Sequence, residues 1–190
     1  MSDFENTRKQ LVNFLESSEQ RTILIKGYDD DAKIGLALST LDSYFELGII
    51  RCPHMGSISH ILNRSFTKEV FPRTVSSTKT YKIGNMTLSI SGYTGRTKNN
   101  LMGNDNTFTM YCPVESVMKD EKRLDNLFRE IENSGSRKII LVTTNDLSID
   151  TSDIEERVDQ TIVYHVENDN ADLVSTIRGN FKKNQFELLY

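Results

Sequence analysis

The sequence predicts a single α/β domain over 1–190, three layers deep, with a mainly parallel sheet and a β-hairpin inserted near 76–103. Three observations carry that prediction. KIILVT at 138–143 is nearly all apolar and β-branched, the pattern of a parallel strand buried on both faces. Thr22 to Ile25 is a second β-branched run, and a short glycine-containing link joins it to a helix that is apolar over a wide arc. Strand-like and helix-like segments then alternate to the end of the chain, and such alternation builds right-handed crossovers on a parallel sheet. The 190 residues suffice for one well-buried core, and 37% hydrophobic with 26% charged residues is the composition of a soluble globular protein.

Each element follows from its local pattern. Residues 4–20 read as a polar leading helix with Phe4, Leu11, Val12 and Leu15 on one side. After the first strand, Ile34, Leu36, Ala37, Leu38, Leu41, Tyr44, Phe45 and Leu47 form the apolar helix, with Gly48 as its αL cap. Ile49-Ile50 opens an extended segment stopped at Pro53, and Ser57 caps a brief helix through Phe66. Residues 67–77 lack periodicity and form a loop. Thr78–Ile83 and Met86–Ser91 flank the turn pair Gly84-Asn85, and Met86, Leu88 and Ile90 alternate with Thr87, Ser89 and Ser91, so one face of the hairpin is core and the other polar. The glycine- and asparagine-rich stretch 92–106 is expected to be a mobile surface loop. Thr107–Cys112 is a strand ended by Pro113. Asp120–Asn133 is an amphipathic helix with Leu124, Leu127, Phe128 and Ile131 inward, stopped by Gly135. Thr161–Val166 is the last strand, and Ala171–Phe181, with Asn168, Asp169 and Asn170 as candidate caps, is the closing helix.

Charge is unevenly spread. Residues 1–50 hold five Lys/Arg against nine Asp/Glu, 51–103 hold eight against one, and 104–190 hold ten against seventeen. Arg51, Arg64, Lys68, Arg73, Lys79, Lys82, Arg96 and Lys98 are thus opposed within their stretch only by Glu69, an asymmetry that points to a polyanion or an acidic protein surface as partner. No apolar run approaches the length of a membrane span. The acidic, polar start MSDFENTRKQ lacks the features of a secretory signal, so no membrane association and a cytoplasmic location are expected. Cys52 and Cys112, with His54, His60 and His165, show no metal-ligand spacing, so no metal site is expected and the thiols read as reduced.

The link between the first strand and its helix has the frame of a phosphate-binding loop. Gly27 is followed by four residues and then Ala32-Lys33-Ile34, where the working motif reads G-x-x-x-x-G-K-[ST]. Ala32 replaces the second glycine, Ile34 replaces the magnesium-binding hydroxyl, and Asp29, Asp30 and Asp31 put three carboxylates where a polyphosphate would lie, which like charges oppose. Further on, the strand 138–143 runs into Thr144-Asn145-Asp146, and Arg157-Val158-Asp159 follows before the last strand.

With the altered glycine-lysine frame, these residues resemble the AAA+ branch of P-loop NTPases over residues 20–183. The resemblance implies a P-loop-type fold with ATP as its nucleotide, Gly27 and Lys33 in the phosphate loop, Asn145 as a γ-phosphate sensor, and Arg157 as an arginine finger for a neighbouring subunit. The departures are as informative. The strand expected to end in an acid pair reads TFTMYCPVESV, with Cys112-Pro113-Val114 at the expected position and Glu115 just beyond, and the helical lid of the family is not expected after the core. Without those groups the positioning and charge neutralisation of phosphoryl transfer are missing, so no catalytic residues and no retained cofactor are expected.

Ordinary roles compete for the same residues. Lys33 serves as a phosphate contact or as a solvated charge in a first helical turn. The aspartate triplet holds a divalent cation, or caps a helix and complements its dipole. Asn145 is a sensor or loop chemistry, and Arg157 is a finger or the partner of Glu155, Glu156 or Asp159. The basic stretch offers Arg73, Lys79, Lys82, Arg96 and Lys98 to phosphates, with Tyr81 and Tyr93 as stacking partners for bases, or docks on an acidic surface such as a second copy. The leading reading is a non-catalytic, degenerate AAA+-like subunit, structural or regulatory, that contacts nucleic acid or a partner ATPase through its basic insertion. The alternatives are a nucleotide-binding ATPase with atypical ligands and a protein-interaction module without a ligand.

Overall fold

The computed structural model describes residues 2–66, 68–94, 101–144 and 149–184. Seven strands, β1 (Thr22–Gly27), β2 (Leu47–Cys52), β3 (Thr80–Ile83), β4 (Met86–Gly92), β5 (Thr107–Tyr111), β6 (Lys138–Val142) and β7 (Gln160–Tyr164), form one sheet in the order β3-β4-β2-β5-β6-β1-β7. Every neighbouring pair is parallel except β3 with β4. Helices α1 (Asp3–Glu16), α2 (Asp30–Leu41) and α3 (Met55–Ser65) cover one face. The short α4 (Glu115–Met118), α5 (Glu121–Glu132) and the short α6 (Ser152–Glu155) cover the other, and α7 (Ala171–Asn184) follows β7.

The strand period of two sorts the core. Ile23, Ile25, Ile140 and Val142 face α1–α3, while Leu24, Ile139 and Leu141 face α4–α6. This is the three-layer fold that the alternation predicts, and the Lys138–Val142 strand is buried throughout.

Several boundaries differ for identifiable reasons. Helix α1 ends at Glu16 because the buried Lys138 ammonium donates to the carbonyls of Phe14 (2.8 Å), Ser17 (2.6 Å) and Gln20 (2.5 Å), collecting the orphan acceptors of the helix end. Its buried face is Thr7, Leu11, Phe14 and Leu15, and Phe4 is exposed. Helix α2 stops at Leu41, so Gly48 is not its cap. Gly48 lies within β2, where an added Cβ would sit 2.3 Å from the Phe108 ring. Helix α3 starts at Met55, two residues before Ser57, whose hydroxyl donates back to the His54 carbonyl. The hairpin turns at Gly84-Asn85 as predicted, with Gly84 at φ 57°, but its first strand begins at Thr80 and not at Thr78, and β4 pairs with β2 along its length, which joins the hairpin to the sheet. Among the described residues no helix is long and apolar enough to cross a membrane.

Candidate functional site

The Gly27–Lys33 loop sits at the carboxyl edge of the sheet, where β1 ends between β6 and β7 and α2 begins. Gly27 has φ 142°, and a Cβ there would meet the Tyr164 carbonyl at 2.4 Å, so the tight exit from β1 requires glycine. The three aspartates that follow have separate tasks. Asp29 caps α2, its Oδ1 accepting from the Ala32 N–H at 2.9 Å, and its Oδ2 accepts from Asn170 at 3.4 Å. Asp30 Oδ1 lies 3.2 Å from Lys33 Nζ, and Asp31 pairs with Arg64 at 2.8 Å.

Lys33 is 0% exposed and is therefore not the solvated first-turn charge that one reading expected. Its stem is buried under the loop, and Nζ donates to the Gly27 carbonyl (2.5 Å) and to Thr143 Oγ1 (3.2 Å) at the end of β6. Thr143 and Asp30 as lysine partners were not singled out from sequence. The available signal was the position of Thr143 directly before the Thr-Asn pair.

The next strand end completes the edge. The Cys112-Pro113 peptide is cis, and Glu115 Oε1 accepts from the Thr144 N–H. Burial pushes the Cys112 thiol far up, with the Glu115 carboxylate adding to the effect and Lys33 opposing it, so this cysteine stays a thiol. The residues here do not fit magnesium-ATP. Ile34 is fully buried where a ligating hydroxyl is required, and the strand end offers Cys112 and Pro113 where an acid pair is required. Among the described residues no group of three or more His, Cys, Asp or Glu is arranged to hold a metal ion. A pocket of about 210 Å³ opens beside Tyr28, between the end of β7 and α7.

Asn145 lies outside the described residues. Arg157 is placed at the opposite edge of the sheet, since the Asp159 N–H donates to the Thr22 carbonyl at the start of β1. Its Nη1 is 3.0 Å from Asp125 Oδ1, and its guanidinium lies 3.9 Å above the Phe128 ring. The partner is thus on α5 and is none of the three acids expected. Glu155 instead pairs with Lys26 at 2.6 Å, and Asp159 accepts from the Arg21 and Thr22 N–H groups and the Thr22 hydroxyl, each at 2.8 Å.

The basic stretch divides into buried and exposed cations. Arg51 is 1% exposed and makes a buried ion pair with Glu130 (2.5 Å) and a hydrogen bond to Ser91 (2.5 Å), so it belongs to the interior. Lys68, Arg73, Lys79 and Lys82 are exposed and have no ion pair among the described residues, while Arg96 and Lys98 lie outside them. Tyr93 does not offer a stacking face. Its ring packs edge-on against Tyr111 at 5.6 Å and its hydroxyl donates to the Pro113 carbonyl at 2.6 Å. Tyr81 is half-buried against Phe71, its hydroxyl accepting from the Ser76 N–H at 2.7 Å.

No family model matches the chain, and no curated protein matches it by sequence. Among solved structures it is similar to the large terminase from a thermophilic bacteriophage, at 9% identity and a TM-score of 0.56, covering 93% of this chain and 49% of that one. A second crystal form of that terminase, in complex with ADP, gives 0.52 with the same identity and coverage. The chain therefore spans about half the length of these structures, and the likeness shows a shared three-layer α/β fold.

Proposed function

We propose that this chain is a non-catalytic subunit of P-loop type, a structural or regulatory component of an assembly, and that its contacts run through the exposed cations of the β3-β4 region. One observation carries the reading. The phosphate cradle is filled from within, because Lys33 is spent on Gly27, Thr143 and Asp30 while the Asp29 carboxylate takes the helix N–H that a phosphate oxygen would use. The degeneracy of the AAA+-like motifs at Gly27–Lys33 and Cys112–Glu115 points the same way. Under this reading Arg157 holds α5 to the start of β7, and Arg73, Lys79 and Lys82, with Arg96 and Lys98, meet the acidic partner.

The test is a thermal-shift titration with magnesium-ATP and with ADP. A ligand at 100-fold its Kd would add about 2.7 kcal/mol, which in a chain of this size raises Tm by roughly 5–10 °C. No shift is expected, and a shift of that size overturns the reading. A second reading, a subunit that binds nucleotide with atypical ligands, is favoured by the ADP complex of the terminase and by the presence of Lys33 at the motif position. In that case the shift appears and is lost in Lys33→Met.

A further inference from the structure

Strand β3 ends the sheet, and among the described residues no strand pairs with the outer side of its backbone. The hairpin turn makes Ile83 and Met86 the hydrogen-bonded pair next to Gly84-Asn85, so the pairs alternate and Tyr81 with Leu88 is the next bonded one. The Thr87 N–H confirms the phase, because it turns away from Lys82 and donates to the Glu46 carbonyl at 2.7 Å. The N–H and C=O groups of Thr80 and Lys82 therefore point outward along the free edge, and both residues are exposed.

Beside that edge lies a cleft of about 350 Å³ with an apolar floor that includes Leu38, Phe66, Val70, Ile83 and Met86, with Lys68 on its rim and β3 bordering it at Lys82. Tyr81 and Ile83 pack toward the α1–α3 face, so the side chains of an added strand that point to that face would enter the cleft. Those on the other face would meet Lys82 and Thr80. Lys79, directly before Thr80 in the chain, and Arg73 are further exposed cations of this stretch. Asp42 also lines the cleft, but its carboxylate already accepts from the Asn85 and Met86 N–H groups at 2.8 and 3.2 Å.

From this arrangement we infer that β3 is a docking edge for an extended, acidic segment of a partner protein, one that alternates apolar with acidic residues and adds to the sheet as an eighth strand. Main-chain hydrogen bonds to Thr80 and Lys82 fix the segment, the cleft takes its apolar side chains, and the lysine rim selects for carboxylates. The same lysines oppose pairing with a second copy of β3, whose cations would stand against them. The inference rests on the proposed contact role of the basic region and narrows its partner to an acidic strand.

The experiment measures fluorescence polarisation of a labelled peptide of roughly eight residues, alternating valine and glutamate, beside a labelled single-stranded oligonucleotide of similar length, against the full chain. Three results are expected for the peptide: binding that weakens with salt, loss of about tenfold or more in Lys79→Glu/Lys82→Glu, and loss on N-methylation of alternate peptide nitrogens. The N-methylated probe makes the test independent of how any protein variant folds. If only the oligonucleotide binds and the double variant abolishes it, the strand-docking inference fails and the basic-contact reading stands. If neither probe binds, both fail. Peptide binding that survives N-methylation also overturns the docking edge.

Discussion

Replacing Lys33 by Met separates an internal tether from a phosphate ligand. The substitution keeps the length and apolar packing of a fully buried stem and removes only the ammonium. The Gly27 carbonyl then loses a charge-assisted hydrogen bond at 2.5 Å, a change that costs about 1.5–3 kcal/mol. Thr143 retains its 3.4 Å contact with the Ile25 carbonyl, so its loss is small. Asp30 is about one-third exposed and rehydrates, which limits the lost ion pair to about 0.5 kcal/mol. Relief from burying an ammonium acts in the opposite direction. The net expectation is a destabilisation of about 2 kcal/mol.

In urea unfolding, with a slope of about 2 kcal/mol per molar for a chain of this size, the midpoint falls by about 1 M, and Tm falls by roughly 4–8 °C. A lysine held ready for phosphate behaves differently, because its removal leaves the folded chain intact and abolishes a nucleotide-induced shift. A midpoint within about 0.2 M of the parent, together with loss of ADP stabilisation, would refute the tether.

Three further outcomes follow from the same geometry. Glu130→Ala leaves the Arg51 guanidinium, 1% exposed, without its carboxylate and is expected to cost about 3–5 kcal/mol, whereas Arg51→Met/Glu130→Leu recovers much of the loss, as read by a thermal double-mutant cycle. Burial pushes the Asp159 carboxyl up, but the Arg21 and Thr22 N–H groups and the Thr22 hydroxyl outweigh it and hold the carboxyl below its ordinary 3.8. The unfolded chain therefore binds the proton first as pH falls, so this contribution is complete above the ordinary value and lost on descent through the folded one. Asp159→Asn is expected to cost about 1 kcal/mol at neutral pH, discounted for exposure, and to flatten the acid limb of a stability-versus-pH series. Gly27→Ala places a methyl 2.4 Å from the Tyr164 carbonyl at φ 142°, so β1 and β7 must separate locally; a loss of about 3 kcal/mol is expected, and a change under about 0.5 kcal/mol in urea contradicts the close approach.

The sequence made the layer order legible wherever a pattern is local. The Gly84-Asn85 turn, the alternation of Met86, Leu88 and Ile90, the inward set of α5 and the buried run at 138–142 depend on neighbours within a few residues, and the structure places them as expected. Features set by distant partners were not legible. A glycine that ends a helix and one that admits a ring look alike in sequence, and Phe108, which fixes the role of Gly48, is sixty positions away. Arg51 falls among the unopposed cations of its stretch because Glu130 comes 79 residues later, and Lys33 lacked its Thr143 partner for the same reason across 110 residues. The single-turn helices α4 and α6 are too short to show a period.

Helix α2 joins the two regions on which the functional reading turns. Its first turn contains Lys33 and the carboxylates that fill the cradle, and its C-cap, Asp42, grips the hairpin turn through the Asn85 and Met86 N–H groups. Five strand steps of about 4.8 Å separate β1 from β3, so the loop and the free edge lie roughly 24 Å apart across the sheet. A phosphate entering the cradle would have to displace Asp29 from the helix N-terminus and draw Lys33 out of full burial, and both changes act on the helix that anchors the hairpin. Under the proposed reading the loop stays closed by its own side chains, and α2 holds β3 and its lysine rim at a fixed height at the end of the sheet. That is the geometry a strand-docking edge needs and a nucleotide switch does not. Under the proposed reading, one helix therefore carries the loop carboxylates at its start and, through Asp42 at its end, fixes the surface through which the chain is proposed to act.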